Sequence, residues 1–222
     1  CLTVNEGEFV AIVGPNGGGK STFLLAILGL LKTRSGTIEI YGHPPMSRKL
    51  HRKIGWVSQA ASYLPKDVKI TVRELVKLGT LHSGNMFDFL DSGRNKKVNR
   101  AIRMTGLEAV QNTPVARLSG GQRQRAVIAR ALATESDFIL LDEPLVGIDP
   151  ESRNSLLKLL DRLCHEQGKT ILMVSHDLTA MSRSAHRIVF LEETIRFDGP
   201  TLAFPDMEKL ADLRGIANVH GD

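Results

Sequence analysis

The chain has 222 residues, 42% of them hydrophobic and 24% charged. That is an ordinary globular composition, enough for one domain or a core with a small subdomain, and no apolar run approaches the ~20 residues that a membrane-crossing helix needs. The formal net charge is +5, but the basic residues are scattered and aromatics are only 5%, so platforms for stacking nucleic-acid bases are scarce and no nucleic-acid partner is expected. A solvated surface near acidic lipid headgroups accounts better for the charge.

In chain order, residues 8–13 (EFVAIV) form a short apolar run that ends in a glycine-rich loop, and a helical pattern follows over 20–31. Further β-type runs fall at 37–41 and 53–58. From 60 to 134 the β signal fades. Residues 71–81 and 99–107 read as helices there, and 83–97 reads as a loop rich in Gly, Asn, Ser and Asp. Residues 121–133 read as another helix.

Apolar runs return at 137–141, 170–174 and 187–191. Those at 137 and 170 are continuous, as in strands covered on both faces. Between them, 150–167 carries Leu156, Leu159, Leu160 and Leu163 on one helical stripe, with Asp149 as N-cap. Residues 207–213 are helix-compatible, and the polar end after them has no readable role. Strands alternating with helices predict an α/β layered fold. The division expected is a core of 1–60 and 135–222 with a mostly helical subdomain, about 61–134, inserted in it.

Cys164 falls on the Leu-rich stripe and reads as a small core hydrophobe. With Cys1 far away and no metal-like spacing, the pair fits a reducing compartment. No secretory signal is visible. His43, His51, His82, His165, His186 and His220 show no metal-ligand spacing and read as surface or packing residues.

Short motifs carry the chemistry. Gly14, Pro15, Asn16, Gly17, Gly18, Gly19, Lys20 and Ser21, followed by Thr22, join a strand to a helix. Glycines let a backbone wrap a phosphate closely, and the helix N-terminus adds positive potential. Lys20 is placed to bridge β- and γ-phosphates, and the Ser21 hydroxyl to ligate Mg²⁺. Residues 138–143 (FILLDE) are an apolar strand ending in two carboxylates. Asp142 suits Mg²⁺, and Glu143 suits a general base that polarises the attacking water.

Gln59 ends the 53–58 run, and His176 follows the 170–174 run. Leu118, Ser119, Gly120, Gly121 and Gln122 spell LSGGQ, in which Ser119 and Gln122 form a capping-box pattern. The helix behind them offers N–H groups and a dipole to an anion. A second phosphate cradle in a chain that already has one suggests service to another chain's nucleotide.

The five motifs, in this order and over almost the whole chain, resemble the nucleotide-binding subunit of an ATP-binding-cassette (ABC) transporter. The resemblance implies a P-loop NTPase core, ATP and Mg²⁺ as ligands, and ATP hydrolysis. It implies that Gln59 touches Mg²⁺ or the lytic water and leads into a segment, 60–71, that meets a membrane partner. His176 is implied as a hydrogen-bond donor to the γ-phosphate. Two copies are implied to pack head to tail, with Leu118–Gln122 of one closing over the ATP held by the other.

Asp149 is the residue retained from the family's Ser-Ala-Leu-Asp loop. Val146 replaces its Ser, which puts the usual hydroxyl contact between subunits in doubt. Gly18 stands where many members carry Ser or Ala. No residue here takes the family's adenine-stacking role, which usually lies on a strand before the first motif, so preference for ATP over GTP rests on the resemblance alone.

The implied setting is the cytoplasmic face of the cell membrane, beside separate membrane-spanning subunits. The phrases ITVRELVKLG and EPLVGID resemble ATPases of zinc/manganese importers. Two other settings stay open: a scaffold ATPase for iron–sulfur cluster assembly, and a ribosome- or DNA-associated ATPase.

Overall fold

The computed structural model describes residues 1–59, 69–81 and 92–205. In chain order the elements are β1 (Phe9–Val13), α1 (Lys20–Ile27), β2 (Ile54–Val57), α2 (Val72–Leu78), α3 (Ser92–Thr105) and α4 (Gly120–Leu132). They continue with β3 (Phe138–Asp142), α5 (Pro150–Gln167), β4 (Thr170–Ser175), α6 (Leu178–Met181), β5 (Arg187–Glu192) and β6 (Thr194–Pro200). The strands form one sheet in the order β2-β3-β4-β1-β5-β6. All neighbours pair in parallel except β5 and β6, which are antiparallel.

The apolar runs become strands because both faces of the sheet are covered. Along β1, Phe9, Ala11 and Val13 enter one buried cluster with α4 and α5, while Val10 and Ile12 enter another with Leu24 and Ile27 of α1. Every residue of β1 and of β4 is buried. A parallel sheet sandwiched by helices leaves no solvated face, so its strands read as unbroken hydrophobic runs. Each fully buried aliphatic side chain contributes about 1.5–3 kcal/mol.

Helix α5 has the same bounds as its sequence pattern, because both ends are punctuated. The Asp149 carboxylate accepts the Ser152 N–H at 2.9 Å, Pro150 opens the first turn, and Gly168 closes it at φ 61°. Its stripe buries Leu156, Leu159, Leu160, Leu163 and Cys164. Burial pushes the Cys164 thiol up to about 12, so it stays protonated and inert at neutral pH.

Four expectations change. Residues 37–41 form no strand. Ile40 pairs only with His43 in an isolated bridge, closed by a turn with Tyr41 at φ 50° and Gly42 at φ 70°, so the alternating pattern finds no neighbouring strand among the described residues. Helix α1 stops at Ile27 rather than 31, with Gly29 at φ 72° ending it. Helix α3 begins at Ser92, so 92–97 is helical where a loop is expected. Buried Val98, Ala101, Ile102 and Thr105 explain this, since one packed stripe outweighs the weak propensity of Gly93 and Asn95.

The fourth change is β6, a strand not expected from the sequence, although Ile195 and Phe197 alternate there with Thr194, Arg196 and Asp198. It is an edge strand, held to β5 by ladder bonds and by Arg187, whose Nε and Nη2 donate to Asp198 at 2.6 and 2.8 Å. The expected segments 60–68, 83–91 and 207–213 lie outside the described residues.

Helices α2, α3 and α4 pack on one another. Thr71 caps α2 in a full capping box with Glu74. Among the described residues, no helix is long and apolar enough to cross a membrane.

Candidate functional site

Parallel pairing brings the motif residues to one edge of the sheet. Val13 is in register with Ser175, Asp142 with Val174, and Val57 with Leu141. The residues that follow each strand therefore emerge side by side: the loop from Gly14, Glu143, His176 and Gln59. Open α/β sheets bind ligands at this carboxyl edge. A cleft of 430 Å³ lies there, lined by Asn16, Gly17, Gly19, Lys20, Ser21, Thr22, Gln59, Glu143, Val146 and His176.

The loop holds its shape through backbone geometry. Gly14 adopts φ 155°, and a Cβ there would fall 2.0 Å from the Leu191 carbonyl oxygen. Lys20 is buried, and its Nζ donates to the carbonyls of Gly14 and Pro15 at 2.9 and 2.8 Å. The ammonium thus sits over the loop, of which Asn16, Gly17 and Gly19 line the cleft. The Glu193 N–H donates to the Gly18 carbonyl at 3.1 Å, which ties the turn between β5 and β6 to the loop.

Gly18 is therefore a packing requirement of this chain. A Cβ there would come within 2.8 Å of the Leu191 oxygen and 3.1 Å of the Pro15 oxygen, both backbone atoms. Gly18→Ser is expected to weaken nucleotide binding about ten-fold, within the cost of overpacking a tight site. Fluorescence titration with a labelled nucleotide checks this; unchanged affinity would show that the turn at 191–193 gives way.

At the end of β3 the chain bends sharply, with Glu143 at φ 50°, so the two carboxylates separate. Glu143 Oε2 lies 2.8 Å from His176 Nδ1 and also accepts the His176 N–H at 3.4 Å. An ionised carboxylate only accepts, so Nδ1 carries the proton in this pair. Nε2 then donates to another group only when the ring is an imidazolium.

Asp142 sits deeper. Burial pushes its carboxyl above the ordinary range, the Glu143 carboxylate adds to the rise, and the Lys20 ammonium opposes it. Its Oδ1 is buried and has no hydrogen-bond partner among the described residues. An orphaned carboxylate oxygen near a cleft lined by the Ser21 hydroxyl and the Gln59 amide is a donor set suited to a hard divalent cation such as Mg²⁺.

Not every candidate reaches the cleft. Gly14, Pro15, Gly18 and Asp142 do not line it. Asp149 caps α5, and hydrogen bonds from Ser152 hold its carboxyl below the ordinary range. Leu118, Ser119, Gly120, Gly121 and Gln122 also lie off the cleft wall. Leu118 is buried, whereas Ser119 and Gly120 are exposed.

The predicted capping box is present: Ser119 Oγ accepts the Gln122 N–H at 3.2 Å, and Gln122 Oε1 accepts the Ser119 N–H at 3.1 Å. Val146 also lines the cleft; the sequence marks it only as the residue in place of the family's Ser, and an apolar side chain carries no chemical signal of its own.

The fold also gathers three residues that show no metal-type spacing in the chain. Ligand atoms of Asp161, His165 and His186 lie within 4.8 Å of one another. His165 Nδ1 is 3.1 Å from Asp161 Oδ1 and 3.2 Å from the Asp161 carbonyl. His186 Nδ1 accepts the Phe9 N–H at 3.1 Å, and its Nε2 lies 3.8 Å from Asp161 Oδ1. With Nδ1 accepting, the neutral His186 ring carries its proton on Nε2. A metal-bound histidine instead offers its other N–H to an acceptor, so the trio is a brace between α5, β1 and β5.

Comparison with known proteins follows the same lines. The family model described as ABC transporter matches residues 1–146. The zinc uptake system ATP-binding protein ZurA of Listeria innocua is 35% identical over 95% of this chain and 84% of its own. Among solved structures, cbiO1 from Clostridium perfringens, part of the ABC transporter complex cbiONQ, aligns with a TM-score of 0.81. It is 30% identical and covers 96% of this chain and 86% of its own. The ATP-binding cassette MJ0796, solved as a dimer in a post-hydrolysis state with ADP and Pi, aligns with a TM-score of 0.74 at 34% identity. That match covers 91% of this chain and 89% of that one.

Proposed function

The chain belongs to the ABC transporter family and is an ATP-hydrolysing subunit of it, and from that premise we propose that it drives separate membrane-spanning subunits that import a divalent metal ion of the zinc type. The cargo follows the zinc uptake relative. The working position is the cytoplasmic face of the membrane. The working form is a pair of copies, head to tail, around two ATP molecules with Mg²⁺. Within each copy, 1–60 and 135–222 act as the nucleotide-holding core, and the helical part, about 61–134, moves with the membrane partner.

The observation that carries this reading is a split. The phosphate loop, Gln59, Glu143 and His176 share one cleft, while Ser119 and its helix N-terminus stand away from it. The second phosphate cradle then serves the nucleotide of another copy.

In the reaction, the loop N–H groups and Lys20 bind the β- and γ-phosphates. Glu143 accepts a proton from the attacking water, and His176 holds that carboxylate in place through the Nδ1–H it donates to Oε2. Ser21, Gln59 and Asp142 would hold Mg²⁺, which supplies charge neutralisation at the phosphates when bound. A Ser119 hydroxyl and the N–H groups behind it meet the γ-phosphate bound by the partner copy.

The test is co-purification from detergent-solubilised membranes of cells expressing the tagged chain. A polytopic membrane protein in stoichiometric amount, together with zinc-stimulated uptake that is lost in the Lys20→Ala variant, supports the proposal. Recovery of ribosomes or cluster-assembly proteins in place of a membrane protein overturns it.

A further inference from the structure

Arg153 lies in the first turn of α5, and its Nη1 donates to Asp177 Oδ2 at 2.5 Å. Asp177 directly follows His176. Its other oxygen accepts the Ala180 N–H at 2.9 Å and caps α6, and its own N–H donates to Ser175 Oγ at 3.1 Å. Asp177 therefore joins the start of α6 and the first turn of α5 through its carboxylate, and the end of β4 through its N–H. The neighbouring His176, which holds Glu143, has its backbone fixed by this junction.

The same turn of α5 bears the LSGGQ turn on its other side. A Cβ at Gly121 would fall 2.4 Å from the Ser152 Cβ, and one at Gly120 would fall 3.2 Å from the Gly147 carbonyl oxygen. Arg125 of α4 also donates to Ser155 Oγ. Ser152 and Arg153 are consecutive, so a displacement of the LSGGQ turn reaches the arginine through a single turn of helix. Glycines leave no soft side chain between the two segments to absorb it.

We propose that Arg153 is a positioning residue that links the LSGGQ turn of this chain to its own His176–Glu143 pair. Closure of that turn on a partner's ATP thereby sets the catalytic pair of this copy, and the two sites of the dimer fire in concert. The proposal rests on the head-to-tail reading above. The ion pair is partly exposed, with side chains 36% and 22% accessible, and such pairs add little to folding stability. What the charged, directional bond supplies is the placement of Asp177.

The experiment combines steady-state ATPase kinetics with ATP-driven association, followed by light scattering in a Glu143→Gln background. The variants are Arg153→Ala, Arg153→Lys, Asp177→Asn and the double Arg153→Ala/Asp177→Asn. Asparagine keeps the helix cap while removing the charge.

Arg153→Ala is expected to lower kcat roughly 3- to 30-fold, the span of measured couplings through packed networks. The KM for ATP and the association stay as they are, and the Hill coefficient falls toward that of independent sites. Lysine recovers most of the loss, and the double variant is no slower than Asp177→Asn alone, as a shared interaction requires.

Wild-type kcat in Arg153→Ala, multiplying effects in the double variant, or an unchanged Hill coefficient would overturn the proposal. Should the alanine variant melt early by circular dichroism, Arg153→Gln carries the same comparison. Failure of the Glu143→Gln protein itself to associate with ATP would instead remove the head-to-tail reading, and the link between sites with it.

Discussion

Glu143→Gln is expected to slow ATP hydrolysis by roughly 10²–10⁴-fold while leaving nucleotide affinity unchanged, the range for loss of a general base. The substitution is close to isosteric. Its amide oxygen still accepts His176 Nδ1–H, the contact that spans 2.8 Å in the native pair, so the loop and the histidine keep their places. What disappears is the basic lone pair that takes the water proton. Asp142 is a poor substitute, because its carboxylate faces the Lys20 ammonium and is the group suited to Mg²⁺. Phosphate release measured beside an equilibrium nucleotide titration separates the two effects. Turnover at the native rate would show that another group activates the water.

Ser119→Tyr is expected to abolish ATP-driven association of two copies and to spare ATP binding by a single copy. Ser119 is exposed and lies off the chain's own cleft, so the phosphate loop does not feel the change. Losing the Ser119 cap costs the helix about 1 kcal/mol, too little to unfold a domain with this core. The tyrosine ring, in contrast, would fill the space where a partner's γ-phosphate and its N–H donors must meet. Light scattering with a slowly hydrolysed analogue, beside nucleotide titration of the monomer, checks the outcome. Equal loss of both would place Ser119 in service of its own nucleotide and count against the head-to-tail arrangement.

These two results rest on features of very different legibility. The Ser119–Gln122 capping box and the Asp149 cap are readable three residues at a time, and both occur where the pattern places them. Helix α5 is readable along its whole length, because a cap, a proline, a Leu stripe and a glycine all agree. The continuous apolar runs become β3 and β4 because a strand covered on both faces needs no partner-specific code.

Legibility ends where a neighbour decides. Residues 37–41 and 194–198 both have strand alternation; the first have no strand beside them among the described residues, whereas the second form β6 on the free edge of β5, held by Arg187. Helix α3 reaches back to Ser92 because α4 buries its stripe, against a local preference for loop.

From the sequence alone come the glycine-rich loop, the Asp142–Glu143 pair at a strand end, the capped LSGGQ turn and the alternation of strands with helices. Each is a property of a few consecutive residues or of one period, and chemistry at that range needs no fold to state it. Only the tertiary structure decides that Glu143 meets His176, that Leu191 leaves no room for a side chain at Gly18, that Arg153 holds Asp177, and that the Asp161, His165 and His186 trio is a brace. Those contacts depend on the parallel register and on helix placement, and both follow from burying apolar surface across the whole chain at once.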